Sequence, residues 1–222
     1  MAFEQNTLNY IKSYLDEHMA DWGWHQSEFD FITDETLRDR LADEFISARY
    51  IYKMLEGMAA DSWLFQAQIR VQILSYASIY EAVIHHLLFE DFKKRSEVMG
   101  LTEFKMKKLI SIPVSKLSQL EAALEHNGKR IIPTYEGIGK TDVTKVRFDK
   151  KAECACQLGL IEEWLKDEII EIYEARNAIH IHAEIRKSLD YQLELSKNAY
   201  RRMRPFVDQI KVSLPTIQKE NV

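Results

Sequence analysis

Arg176, Asn177, His180 and His182 fall in one short stretch, Glu174-Ala-Arg-Asn-Ala-Ile-His-Ile-His182. Histidine titrates near neutral pH and can serve as general acid or general base. Arginine keeps its charge and offers a planar fork of donors that matches phosphate oxygens. Asparagine can orient a neighbour or a substrate. Together these types hold the chemistry for cutting RNA without a metal. One imidazole would take the proton of a 2′-hydroxyl, another would protonate the leaving oxygen, and the guanidinium would steady the phosphorane between them. A single copy supplies few groups, so a homodimer pairing two copies would complete the set. The competing reading is structural: an ion-pair set at a helix end, with Glu174 and Glu184 close by.

The elements that must position this stretch read as helices. Only 7 glycines and 4 prolines interrupt 222 residues, and 46% of the chain is hydrophobic. That composition favours a mainly α fold with a real core. Apolar spacing predicts a first helix over 3–20 and a second opening at Thr33 or Asp34 and fading at Gly57. Between them, Trp22, Trp24 and Phe29 sit in an aromatic-rich connection, read first as a loop pinned by packing and second as a base-stacking platform. A helix over 62–95, apolar on more than one side, is expected to lie at the centre. Thr102 would cap a short helix through Lys105 and Lys108, and another would start after Pro113. Residues 128–148 lean towards β structure, with Gly137-Ile-Gly139 as the turn of a small hairpin or loop insertion. Asp149 would cap a helix that Gly159 breaks. The segment 160–183 is the helix carrying the arginine and histidines, and 188–212 is the last long helix, divided or kinked by Pro205. The domain reading is an N-terminal helical extension over 1–60 and a helical bundle over 61–222, with 128–148 inserted.

Further groups could assist the stretch. Glu81 and His85 are four apart on the central helix and share a face, either as a buried polar pair or as support for the site. Arg201, Arg202 and Arg204 form a run that reads as a solvated face or, if RNA binds, as phosphate contacts. A net charge of −5 excludes a dedicated duplex-DNA binder, so any nucleic-acid contact must be local. Cys154 and Cys156 point different ways on a helix, which argues against a mutual disulfide and suits a reducing compartment. No metal-ligand spacing stands out, and no cofactor is expected. Gly139-Lys140-Thr141 lacks the first glycine of a phosphate loop, because Thr134 occupies that place. No apolar run of membrane-spanning length and no basic-plus-apolar leader is present, so the cytoplasm is the expected location.

Arg176-Asn177 followed by histidine, late in a helical chain, resembles the HEPN superfamily (higher eukaryotes and prokaryotes nucleotide-binding). Its signature is an arginine, a polar residue, and a histidine after four to six intervening positions. Here five separate Arg176 from His182. Tyr173-Glu-Ala and Ser78-Ile-Tyr-Glu-Ala-Val-Ile-His-His-Leu-Leu88 are also similar to such bundles, so the likeness spans roughly 62–212. The resemblance implies an antiparallel helical bundle that dimerises through the motif helices. It implies RNA as substrate, and an antitoxin or other phage-defence protein as partner. Many members are metal-independent endoribonucleases of toxin–antitoxin and defence systems; others are non-catalytic RNA-binding or assembly modules. Carried over by position, Arg176 would steady the phosphate, Asn177 would be its polar neighbour and His182 the acid or base. Helix geometry instead favours His180, about 40° from Arg176 around the axis, whereas His182 is about 120° away. Glu184 stands where one toxin branch has a tyrosine.

Overall fold

The chain is mainly helical, with one small antiparallel two-stranded sheet. The structure, a computed structural model, describes residues 3–124, 126–178 and 193–219. In chain order the helices are α1 (Gln5–His18), α2 (Trp22–Glu28), α3 (Glu35–Gly57), α4 (Ser62–His86), α5 (Ser96–Thr102), α6 (Val114–Ala123), α7 (Phe148–Gln157), α8 (Glu163–Asn177), α9 (Leu193–Arg201) and α10 (Met203–Lys219). Strand β1 (Glu103–Leu109) pairs with β2 (Thr134–Lys140). Two compact units result: Met1–Lys93 with Arg147–Val222, and Lys94–Val146. Among the described residues, no helix is long and apolar enough to cross a membrane.

The first unit is built around α4. Ile69, Ile73, Tyr76, Ala77, Ile79, Tyr80, Val83 and Ile84 are buried around more than one side of it. Such a helix needs covering on several faces, and α3, α7, α8 and α9 all pack on it. Each fully buried Ile or Leu contributes about 1.5–3 kcal/mol relative to exposure. Helix α10 adds a stripe at helical spacing, Met203, Phe206, Val207, Ile210, Leu214 and Ile217. Its Phe206 ring meets Tyr80 edge-on at 4.9 Å. Helices α1 to α3 belong to this same unit, so the residue range read as an N-terminal extension shares it with α4.

Local chemistry fixes several ends. Asp34 caps α3, accepting from the Leu37 amide at 3.0 Å. Gly159 takes φ +78 just past α7, and the Leu160 amide then bonds back to the Ala155 carbonyl at 2.9 Å. That left-handed turn suits glycine. Pro205 has no amide to offer the Arg201 carbonyl, and the helix breaks at Arg202, between α9 and α10.

Several local expectations differ from the structure. The aromatic connection around Trp22 and Trp24 is the helix α2, opened by Asp21, whose carboxylate accepts from the Trp24 amide at 2.7 Å. Helix α4 ends at His86 and continues as a π turn, Leu87–Asp91. Residues 103–109 form a strand in place of a helix. In the second unit that strand supplies the partner for 134–140, with Glu103 opposite Lys140 and Leu109 opposite Thr134. Gly137 and Gly139 therefore lie inside β2, and residues 143–148 are a 3₁₀ turn followed by the start of α7. The alternation Phe104-Lys-Met106-Lys is a strand period. Both apolar side chains lie against Gly139, where an added Cβ would come within 2.7 Å of each.

Tyr80 is fully buried and its hydroxyl donates to the Ala199 carbonyl at 2.6 Å, tying α4 to α9. Replacing Tyr80 by Phe leaves that carbonyl unpaired. The expected cost is about 1–2 kcal/mol, read as a lower urea midpoint at unchanged m-value. An unchanged midpoint would mean that the carbonyl finds another donor.

Candidate functional site

Arg176 and Asn177 close α8. The helix presents Leu165, Ile169, Ile172 and Ala175 inward, and Ala175 packs with Ile69 and Ile73 of α4. That contact turns Tyr173 and Arg176, one turn apart, onto a common half-buried flank. A cation in the last turn also complements the negative end of the helix dipole.

Five side chains from three helices join there. Lys151 of α7 holds Glu81 of α4, Nζ to Oε1 at 3.2 Å. The Tyr173 hydroxyl donates to the other oxygen, Oε2, at 3.0 Å. Arg176 Nη1 in turn donates to that hydroxyl at 3.2 Å and to Asn177 Oδ1 at 3.1 Å. The Tyr173 ring stacks on Phe148 at 4.2 Å, and the Arg176 guanidinium lies 5.1 Å from its centroid. Burial and the neighbouring Glu81 carboxylate push the Tyr173 hydroxyl above the usual phenol range, against the pull of Arg176. The hydroxyl thus stays protonated as Glu81's donor.

Among the described residues the Arg176 charge meets only neutral acceptors. Among the described residues no carboxylate pairs with it, and Glu174, the nearer of the acids in the ion-pair reading, makes no bond to it. Glu184, His180 and His182 lie outside the described residues. A half-buried guanidinium aimed by two neutral oxygens keeps donors and charge for an anion.

No known protein family, characterised protein or solved structure matches the chain.

The proposed support pair divides. Glu81 reaches Arg176 through Tyr173, whereas His85 makes no hydrogen bond to Glu81 and sets its ring 4.9 Å from Phe89. Burial, with Lys151 nearby, lowers the His85 pKa against the opposing pull of Glu81 and Glu90. The basic run does not form one free patch. Arg202 makes a two-pronged ion pair with Glu168 and lies over Trp164. Arg204 bonds Asp208 at 2.9 Å and Glu28 at 3.5 Å, and Arg201 reaches Glu194 at 3.4 Å. Cys154 and Cys156 form no disulfide. Tyr173, Lys151 and Phe148 were not singled out from sequence as parts of the site. Tyr173 carried a signal, since it precedes Arg176 by one helical turn; Lys151 carried none, standing 70 residues from Glu81.

Lys151 has a side chain only 3% exposed, and its ammonium is paired with Glu81. Glu81→Gln strands it, at an expected cost of about 2–3 kcal/mol for this partly solvated pair. Adding Lys151→Met should recover most of that loss in chemical denaturation. A double variant no more stable than the single one would refute the dependence. His85 generates a pH expectation. Its folded pKa lies below the unfolded value of 6.5, so the unfolded chain takes up its proton first as pH falls. Its neutral form supports the fold fully above about pH 6.5, and that support drains away below it. Unfolding free energy at pH 5.5 relative to pH 7.5 should fall less in His85→Gln than in the parent; equal falls would count against it.

Proposed function

We propose that the protein is a metal-independent endoribonuclease of the HEPN type, working in the cytoplasm as a homodimer. The substrate would be single-stranded or structured RNA. Attack by the 2′-hydroxyl on the adjacent phosphorus would leave a 2′,3′-cyclic phosphate and a free 5′-hydroxyl. Arg176 would bind the non-bridging oxygens as charge builds in the phosphorane. Asn177 would hold the guanidinium in place, and Tyr173, braced by Glu81, would fix it from the other side. His182 or His180 would act as base and as acid, the two roles being shared across the dimer. A toxin or phage-defence setting, with an antitoxin or other defence protein as partner, follows from the resemblance alone.

One observation carries this reading. Arg176 stands at the end of α8, aimed by Tyr173 and Asn177, with no carboxylate neutralising it among the described residues. An arginine kept for ion pairing would show the opposite, as Arg202 does with Glu168. Arg201, Arg202 and Arg204 carry less of the proposal, because each already holds a carboxylate. The Glu81–Lys151 pair serves as positioning support, and His85 stands apart from it.

The test is cleavage of end-labelled RNA by the purified chain in chelator, with products resolved for cyclic phosphate. Arg176→Ala and His182→Ala are each expected to lose about a hundredfold or more in rate, and Arg176→Lys to recover only part. His180→Ala decides which imidazole acts. Cutting that persists unchanged in both alanine variants belongs to a contaminant and would sink the proposal. An RNA mobility shift without cutting would move the chain to the non-catalytic, RNA-binding class.

A further inference from the structure

A cavity of about 440 Å³ opens in the first unit, lined by residues of α1, α3, α4 and α9. It shares no lining residue with the chain of bonds from Lys151 to Arg176. We infer that this cavity binds a small phosphate monoester carried on a flat ring. The volume lies in the range of small-ligand sites. Four permanent cations line it, Arg49, Lys53, Lys197 and Arg201, against the single carboxylate of Glu56. Glu56 is occupied by Lys53 at 2.6 Å. Glu194 bonds Lys197 at 3.1 Å and Arg201 at 3.4 Å, which leaves the wall with a positive excess.

Arg49 decides the chemistry. It is half-buried, and its guanidinium carbon lies 5.5 Å from the ring centroids of both Trp24 and Tyr200. No carboxylate pairs with it among the described residues. Aromatic faces hold an arginine without consuming its hydrogen-bond donors. A half-buried cation facing a cavity under those conditions is built for an anion. Lys197 and Arg201 share the single carboxylate of Glu194, so a dianionic phosphate matches Arg49 and the one charge they leave uncompensated better than a monoanionic carboxylate does.

The rest of the wall supplies the ring. Tyr52, Tyr76 and Tyr200 all line the cavity, with the last two 5.9 Å apart between centroids. The Tyr76 hydroxyl donates to no described group, and burial keeps it protonated, first among the influences on it. At 1% exposure Tyr76 closes the wall, and Tyr52 and Tyr200 are left to offer their faces. Tyrosine faces accept a flat ring with little entropic cost, since each has few rotatable bonds.

The experiment is calorimetric titration of the full chain with phenyl phosphate, and separately with inorganic phosphate and with phenol. Phenyl phosphate is expected to saturate one site per chain, at least tenfold more tightly than either part, and to weaken as salt rises. Arg49→Ala should weaken it tenfold or more with an unchanged circular dichroism spectrum. If that variant fails to fold, Lys197→Ala with Arg201→Ala changes two partly exposed groups and should give a comparable loss. No saturable binding of phenyl phosphate, or equal affinity in all these variants, overturns the site. Inorganic phosphate binding as tightly as phenyl phosphate overturns the ring. Loss of binding in Arg176→Ala while Arg49→Ala binds normally would assign the anion to α8 and overturn the cavity. RNA cleavage by the parent chain is read independently, so failure here and failure of the nuclease reading are separable.

Discussion

Helix α4 is apolar on too many sides to be satisfied by one neighbour, and the first unit follows from that. Ile69 and Ile73 take Ala175 of α8, Tyr76 takes Phe45 of α3, and Tyr80 takes Phe206 of α10. Each cover brings its own polar flank to the edge of the core. Where α8 and α7 flank α4 beside Glu81, the flanks bring Tyr173 and Lys151 together on one carboxylate. Where α3 and α9 meet it, the flanks bring Arg49, Lys197 and Arg201 around a cavity. Both functional candidates are thus by-products of covering the same helix.

The arginines of this unit separate by what holds them. Arg202 and Arg204 are held by carboxylates, and Arg201 reaches one at the cavity rim. Arg176 and Arg49 are held by tyrosine faces and, for Arg176, by neutral oxygens. An ion pair satisfies a guanidinium but cancels its field. A π face orients it and leaves its donors free. That distinction, invisible in a count of basic residues, selects Arg176 and Arg49 from a chain whose net charge is −5.

Much of the helical frame was legible because its signals are local. Asp34 is a capping residue followed by an apolar period, Gly159 is a left-handed stop, and Pro205 removes an amide; each acts within one turn of itself. The strand 103–109 was not, because Lys, Met, Leu and Glu are good helix formers and the local pattern is short. Its partner begins 25 positions beyond its end, and pairing overrode propensity. Residues 128–148 did read as β-leaning, but of the glycines that suggested a turn, Gly139 makes room for Phe104 and Met106 across the sheet and Gly137 for Lys108. The aromatic stretch at Trp22 misled in the other direction: its bulky, low-propensity residues hid a cap at Asp21.

The candidate site shows the same division. Arg176 and Asn177 could be found by type and spacing alone, and Glu81 by its place on the central helix. What makes Glu81 matter is Lys151, and that pairing spans 70 residues. A charge carried on a side chain only 3% exposed is costly without a counter-charge beside it. Glu81 therefore cannot turn away from α7, so its second oxygen stays fixed where the Tyr173 hydroxyl can reach it. The rigidity passes one bond further to the guanidinium of Arg176. A residue with no chemistry of its own at the site thus sets the direction in which the arginine faces, and only folding makes that dependence visible.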